Sequence, residues 1–185
     1  MDAGPWAIVV PVKRLGEAKS RLALPPDARA ALALAMAVDT LGTVLATSGV
    51  ARLVVVTGQH EVRAALGADP RLRWLPDPGT GLGGAIELGR AALVAEGWGP
   101  SAVLLGDLPA LRPAELAAAL GLAGAHARAM VPDAEGLGTS LLTALRAEDL
   151  RPQFGPGSRS AHEAAGHRVL DGVARRLVRA ARTGA

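Results

Sequence analysis

Several stretches of the chain hold residue types from which phosphate chemistry could be built. SAVLLGDLPAL, Ser101 to Leu111, sets a single acid, Asp107, behind an apolar run and a glycine. A short strand rich in Val and Leu, stopped by Gly-Asp, delivers a carboxylate to the carboxyl edge of a sheet, where open α/β sheets bind ligands. The same Gly-Asp could instead turn the chain ahead of the helix prefaced by Pro113, and the stretch alone leaves both readings open. KRLGEAKSRL gathers Lys13, Arg14, Lys19 and Arg21 within nine residues. Lys supplies a point charge and Arg a bidentate fork, so such a loop is a cradle for a triphosphate or simply a solvated basic loop; it is not a Walker A loop.

Two glycine-rich turns add backbone donors. In PDPGTGLGGAIELG the glycines Gly79, Gly81, Gly83 and Gly84 open an amphipathic helix, and glycines ahead of a helix let amides approach a phosphate or a base. Phe154 to Ser158, FGPGS, enters a short helix containing His162 and offers amides and a hydroxyl to an anion, with an ordinary serine N-cap as the plainer alternative. No Ser-His-Asp arrangement is apparent, and His162 and His167 read as helix residues rather than general bases.

These residues need a scaffold, and the hydrophobic pattern supplies one. Trp6 to Val12 is a first strand, and Pro25-Pro26-Asp27 opens a long helix through about Thr47, with Ala31, Leu32, Leu34, Ala35, Val38 and Leu41 at helical spacing. Arg52 to Thr57 is a strand whose interior, Leu53 to Val56, is apolar without a break, as in strands covered on both faces. A helix over Glu61–Leu66, a strand over Leu72–Leu75, a helix to about Glu96, the Asp107 strand and a helix from Pro113 follow. This alternation predicts a Rossmann-like α/β fold, a mixed but mostly parallel sheet with helices on both faces. The last third departs from it, with strands over Arg128–Pro132 and Thr139–Leu145 joined by a loop.

Composition sets the bounds. A chain of 185 residues suits one domain, 1–185. Half of it is hydrophobic and only 2% is aromatic, so the core is packed from Ala, Leu and Val. The net charge of +3 excludes a strongly basic chain; the dense run from Arg175 to Arg182 reads as a solvated helix face, and without an aromatic platform it does not predict nucleic-acid binding. With no cysteine, disulfides, zinc-thiolate sites and thiol nucleophiles are out of reach. No signal-peptide pattern and no apolar stretch near the roughly 20 residues of a membrane span are expected, which predicts a cytoplasmic protein without a membrane partner. A homodimer stays open.

Taken in order, PVKRLGEAKSRL at 11–22, LLGDLPAL at 104–111, GLGTSLL at 136–142 and FGPGSRSAH at 154–162 resemble the 2-phospho-L-lactate or phosphoenolpyruvate guanylyltransferases of coenzyme F-420 biosynthesis. The similarity runs from about Ile8 to Leu177, and GDLPAL and FGPGS are its specific part. It implies a nucleotidyltransferase fold in which GTP, held with Mg²⁺, is attacked by the phosphate of a small phosphorylated acid, releasing pyrophosphate. By the resemblance, Asp107 is the metal ligand and a catalytic residue, as are Lys19 and Arg21 of the basic loop. Lys13, Lys19, Arg21, Gly81 and Gly83 bind the nucleotide, and Thr139, Gly155 and Ser158 hold the acceptor's phosphate.

The chain departs from the family in two places. Where the family ends in Asp-x-Asp-Thr-Pro, whose first aspartate is a second metal ligand, this chain has Ala180-Ala181-Arg182-Thr183-Gly184; Asp171, some nine residues earlier, reads as a turn acid before Gly172. Where the family tends to have Leu-Asn, it has Leu82-Gly83. A degenerate relative that binds nucleotide without turnover, or a nucleotidyltransferase with another acceptor, are therefore the rival readings.

Overall fold

The computed structural model describes residues 4–12 and 25–172. Lys13, Lys19 and Arg21 of the expected triphosphate cradle, the Arg175–Arg182 run and the segment 180–184 lie outside the described residues.

Seven strands form one sheet in the order β3-β2-β1-β4-β6-β5-β7. β1 (Trp6–Pro11), β2 (Val50–Val56), β3 (Leu72–Leu75) and β4 (Ser101–Leu104) are mutually parallel, with β1 at the centre of the group. β6 (Thr139–Ala144) pairs antiparallel with β4 on one side and with β5 (Arg128–Pro132) on the other, and β5 pairs parallel with the two-residue β7, Arg168–Val169. The sheet is thus mixed and mostly parallel, as expected. β7 was not legible in the sequence, because two residues carry no periodicity.

The strands sort their side chains with the period of two that a pleated sheet imposes. In β1, Trp6, Ile8 and Val10 join a core with α1 (Pro26–Ala46), Val62 of α2 (His60–Leu66) and Leu116 of α4 (Pro113–Ala123). Ala7 and Val9 face the opposite core, with Ala85, Ile86 and Leu93 of α3 (Gly81–Ala95). Burial on both faces explains why β1 and residues 53–56 of β2 read as unbroken apolar runs.

α1 matches its expected face only in part. Its buried positions are Ala37, Thr40, Leu41 and Val44, whereas Ala31 and Ala35 are exposed and Leu32 is 38% exposed. Leu41 lies in the core and Leu34 packs partly buried against it, as expected, while the fully buried positions fall in the second half of the helix. Contrary to expectation, α1 is long and apolar enough to cross a membrane by length and composition. Here Leu41 and Val44 are spent on the sheet core.

α3 lies close to the sheet because residue 89 has no side chain. A Cβ built on Gly89 would sit 2.3 Å from Val9 Cγ1 and 3.3 Å from Val56 Cγ2. Gly89→Ala should therefore force α3 off the sheet and destabilise the protein by about 1–3 kcal/mol, against the small gain expected from helix propensity alone. Urea denaturation measures the difference; an unchanged or raised midpoint would show that α3 is not packed this tightly.

Candidate functional site

The carboxyl ends of the parallel strands and the amino end of β6 share one edge of the sheet. Leu104 pairs with Leu141, and the ladder continues as the Leu105 N–H donates to Ser140 O at 3.2 Å. Continuing this register sets Gly106 opposite Thr139, with Asp107 one residue beyond. Adjacent strands lie about 4.8 Å apart. Two residues that the resemblance assigns to metal and to acceptor phosphate are thus neighbours on one edge, although they are far apart in sequence.

The turn bearing Asp107 is held from two sides. A Cβ on Gly106 would meet Pro11 O at 3.0 Å and Val10 Cγ1 at 3.3 Å, so only glycine lets β4 leave the sheet this close to the end of β1. On the other side, the Leu108 N–H donates to Thr40 Oγ1 at 3.0 Å while that hydroxyl donates to Met36 O at 2.8 Å. Thr43 Oγ1 donates to Leu111 O at 3.1 Å. Thr40 and Thr43 satisfy backbone groups that would otherwise go unpaired, and they clamp the turn to α1. Asp107 itself stands exposed at the edge. The sequence reading missed both threonines; two threonines three apart in the apolar second half of the helix were the available signal.

His162 links Thr139 to the segment that leads into Gly155 and Ser158. Ser158 is the first residue of α5 (Ser158–Ala164), whose N-cap is Gly157 rather than a serine. Its N–H donates to Gly155 O at 3.1 Å, and the Arg159 N–H donates to Leu137 O at 3.2 Å, docking the turn onto the end of the β5–β6 hairpin. One turn into α5, His162 is fully buried, and its Nδ1 lies 2.9 Å from Thr139 Oγ1. Its Nε2 accepts from the Gln153 N–H at 2.8 Å, and Phe154 packs edge-on at 5.1 Å. Gly155 is exposed, while Ser158 and Thr139 are each 2% exposed. His162 is a helix residue as expected, though a fully buried one, whereas His167 lies beyond α5, just before β7.

Gly81 and Gly83, expected to bind the nucleotide, lie at the start of α3, after β3. Gly81 has φ 79°, and a Cβ on Gly83 would meet nothing within 4 Å. The open space at Gly83 is where a family Asn would project. Asp171 is paired with Arg159 at 3.5 Å. Among the described residues no group of three His, Cys, Asp or Glu side chains is poised around one metal ion.

Burial, and secondarily the neighbouring His167, push the His162 imidazole down to about 4. Burial lowers His167 as well, against a raising hydrogen bond to Ala129 O. Because the folded value of His162 lies below its ordinary 6.5, the unfolded chain takes up the proton first as pH falls. Its contribution to stability is full above pH 6.5, declines toward about 4 and is flat below, a loss of at most roughly 3 kcal/mol. Urea denaturation across that window should show this fall in wild-type protein and a shallower one in His162→Asn. Equal slopes would contradict a buried neutral imidazole.

Residues 13–181 match the MobA-like NTP transferase domain. A phosphoenolpyruvate guanylyltransferase from Salinispora arenicola is 51% identical over 172 residues, covering 90% of this chain and 78% of its own. One from Sanguibacter keddieii is 45% identical over 202 residues, covering 90% and 71%. Among solved structures, a nucleotidyl transferase from Methanothermobacter superposes with a TM-score of 0.60 at 23% identity, over 89% of this chain and 85% of that one, a likeness of fold. The chain belongs to the MobA-like NTP transferase family and, within it, to the phosphoenolpyruvate guanylyltransferases.

Proposed function

We propose that this protein transfers GMP from GTP to the phosphate of phosphoenolpyruvate and releases pyrophosphate. The observation that carries the chemistry is the β4–β6 pairing, which sets the Asp107 turn beside Thr139. The acceptor is suggested by the guanylyltransferases that the chain matches over most of its length. One domain over 1–185, a cytoplasmic setting and a place in coenzyme F-420 biosynthesis belong to the same reading.

The reaction forms one bond and breaks one. An oxygen of the acceptor's phosphate attacks the α-phosphorus of GTP, and the bond from that phosphorus to the bridging oxygen of the β-phosphate breaks. Pyrophosphate takes the electron pair. A phosphate oxygen is already a nucleophile near neutral pH, so no general base is needed, in keeping with the capped and buried His162. Such transfers depend mainly on positioning and charge neutralisation. In this reading Thr139, Gly155 and Ser158 hold the acceptor, Lys13, Lys19 and Arg21 face the triphosphate, and Gly81 and Gly83 lie against the nucleoside.

A single exposed carboxylate on a clamped turn fits Mg²⁺, which keeps several waters and is held by one or two carboxylates together with substrate phosphates. Asp107 would be its protein ligand. When bound, the ion neutralises charge on the phosphates.

The second reading, a relative that binds GTP without turnover, is favoured by Ala180 standing where the family has an aspartate. Assays of pyrophosphate release with GTP, Mg²⁺ and a panel of phosphoenolpyruvate, 2-phospholactate and 3-phosphoglycerate separate the two. Release with phosphoenolpyruvate is expected; GTP binding without release for any acceptor supports the inactive relative. Asp107→Asn should lower kcat by at least about a hundredfold, a loss of roughly 2.7 kcal/mol of transition-state stabilisation, with little change in melting temperature. Activity retained in that variant would remove Asp107 from the metal site.

A further inference from the structure

We propose that His162 is a positioning residue for the acceptor: its Nδ1–H donates to Thr139 Oγ1 and so directs the Thr139 hydroxyl hydrogen toward the acceptor's phosphate. The identity of that ligand rests on the functional reading above; the direction of the hydrogen bonds does not.

One partner of His162 has no choice of role. The Gln153 backbone N–H can only donate, so Nε2 of His162, 2.8 Å away, must present its lone pair. A neutral imidazole with a bare Nε2 carries its hydrogen on Nδ1. Nδ1 is 2.9 Å from Thr139 Oγ1, and that contact is therefore a donation from histidine to threonine. Full burial keeps the ring neutral, in line with its low affinity for a proton.

A threonine hydroxyl has one hydrogen and two acceptor positions, and it normally rotates to suit its surroundings. With one acceptor position filled by Nδ1–H, the Thr139 hydrogen cannot point at His162. It becomes a donor to a third partner. Thr139 lies at the amino end of β6, opposite Gly106 in the β4–β6 register, at the edge that bears Asp107. A phosphate monoester, rich in acceptor oxygens, is a matched partner for a hydroxyl fixed as a donor.

The other nitrogen anchors the segment ahead of the FGPGS turn. By accepting from Gln153, Nε2 holds the segment that leads into Gly155–Ser158, and Phe154 covers the ring edge-on at 5.1 Å. One imidazole therefore sets the hydroxyl on β6 and the entry to the FGPGS turn at the same time. Its lone pair is capped by the Gln153 N–H, so it cannot act as a general base without breaking that bond.

The test uses amides that imitate one nitrogen each. H162N keeps a donor where Nδ1 lies; H162Q keeps an amide where Nε2 lies. H162Q and T139V should each raise KM for phosphoenolpyruvate roughly tenfold or more, the scale of a hydrogen bond to a charged group, with KM for GTP within about twofold. H162N should recover most of that loss, and the H162Q/T139V double variant should be no worse than T139V. Multiplying effects in the double variant, or H162N as impaired as H162Q, would reduce His162 to a core residue. ¹⁵N NMR of the wild-type imidazole decides the tautomer without activity or variants: a protonated Nδ1 and bare Nε2 are expected, and the reverse overturns the proposal. If wild-type protein neither binds nor uses phosphoenolpyruvate, the functional reading fails while the NMR result still stands or falls alone.

Discussion

The antiparallel insertion of β6 between β4 and β5 is the constraint on which the candidate site depends. β4, α4 and β5 form a parallel crossover that leaves room for one strand between β4 and β5, and the β5–β6 hairpin fills it. Because β6 runs against its neighbours, its first residue, Thr139, comes to the edge where β4 ends. A parallel strand in that slot would bring its last residue there instead, and Thr139 would lie at the far side of the sheet. The same reversal brings Leu137, and with it the start of α5, to the site edge.

Around that edge, short polar contacts do the placing. Thr40 accepts the Leu108 N–H from within an apolar helix, and His162 bridges Thr139 and Gln153 from within a buried pocket. Each such contact satisfies a group that would be costly to bury alone, so each is strongly directional. The glycine at 106 contributes by absence of a side chain, since its close approach to Pro11 O sets where Asp107 leaves the sheet. The apolar core makes the fold stable. These few buried polar contacts decide how the edge is arranged.

Much of this was legible in the sequence. The Leu72–Leu75 and Arg128–Pro132 strands fall where the apolar runs predicted, because both are short runs bounded by turn residues. Asp107, Thr139 and the FGPGS turn were singled out as chemistry-bearing, from residue types and from resemblance. What could not be read was the pairing that makes them neighbours: the short loop after β5 implies that β6 runs antiparallel to it, but nothing local to Thr139 or Asp107 encodes that β6 lies beside β4. Nor was His162 legible as a bridge, since its two partners lie 23 and 9 residues away and a lone histidine on a short helix has no distinctive spacing. Of the face expected for α1, Ala31, Leu32 and Ala35 were misplaced because the first half of the helix is as apolar as its second, so periodicity could not tell which turns are fully covered.

The account reduces to the claim that nucleotide and acceptor meet at the β4–β6 edge between Asp107 and Thr139. A crystal structure with phosphoenolpyruvate and a non-hydrolysable GTP analogue measures this most directly. The account predicts the acceptor's phosphate within hydrogen-bond distance of Thr139 Oγ1, with the α-phosphate of the nucleotide on the Asp107 side of it. An acceptor bound away from the FGPGS turn, or a triphosphate seated at the opposite edge of the sheet, would contradict it.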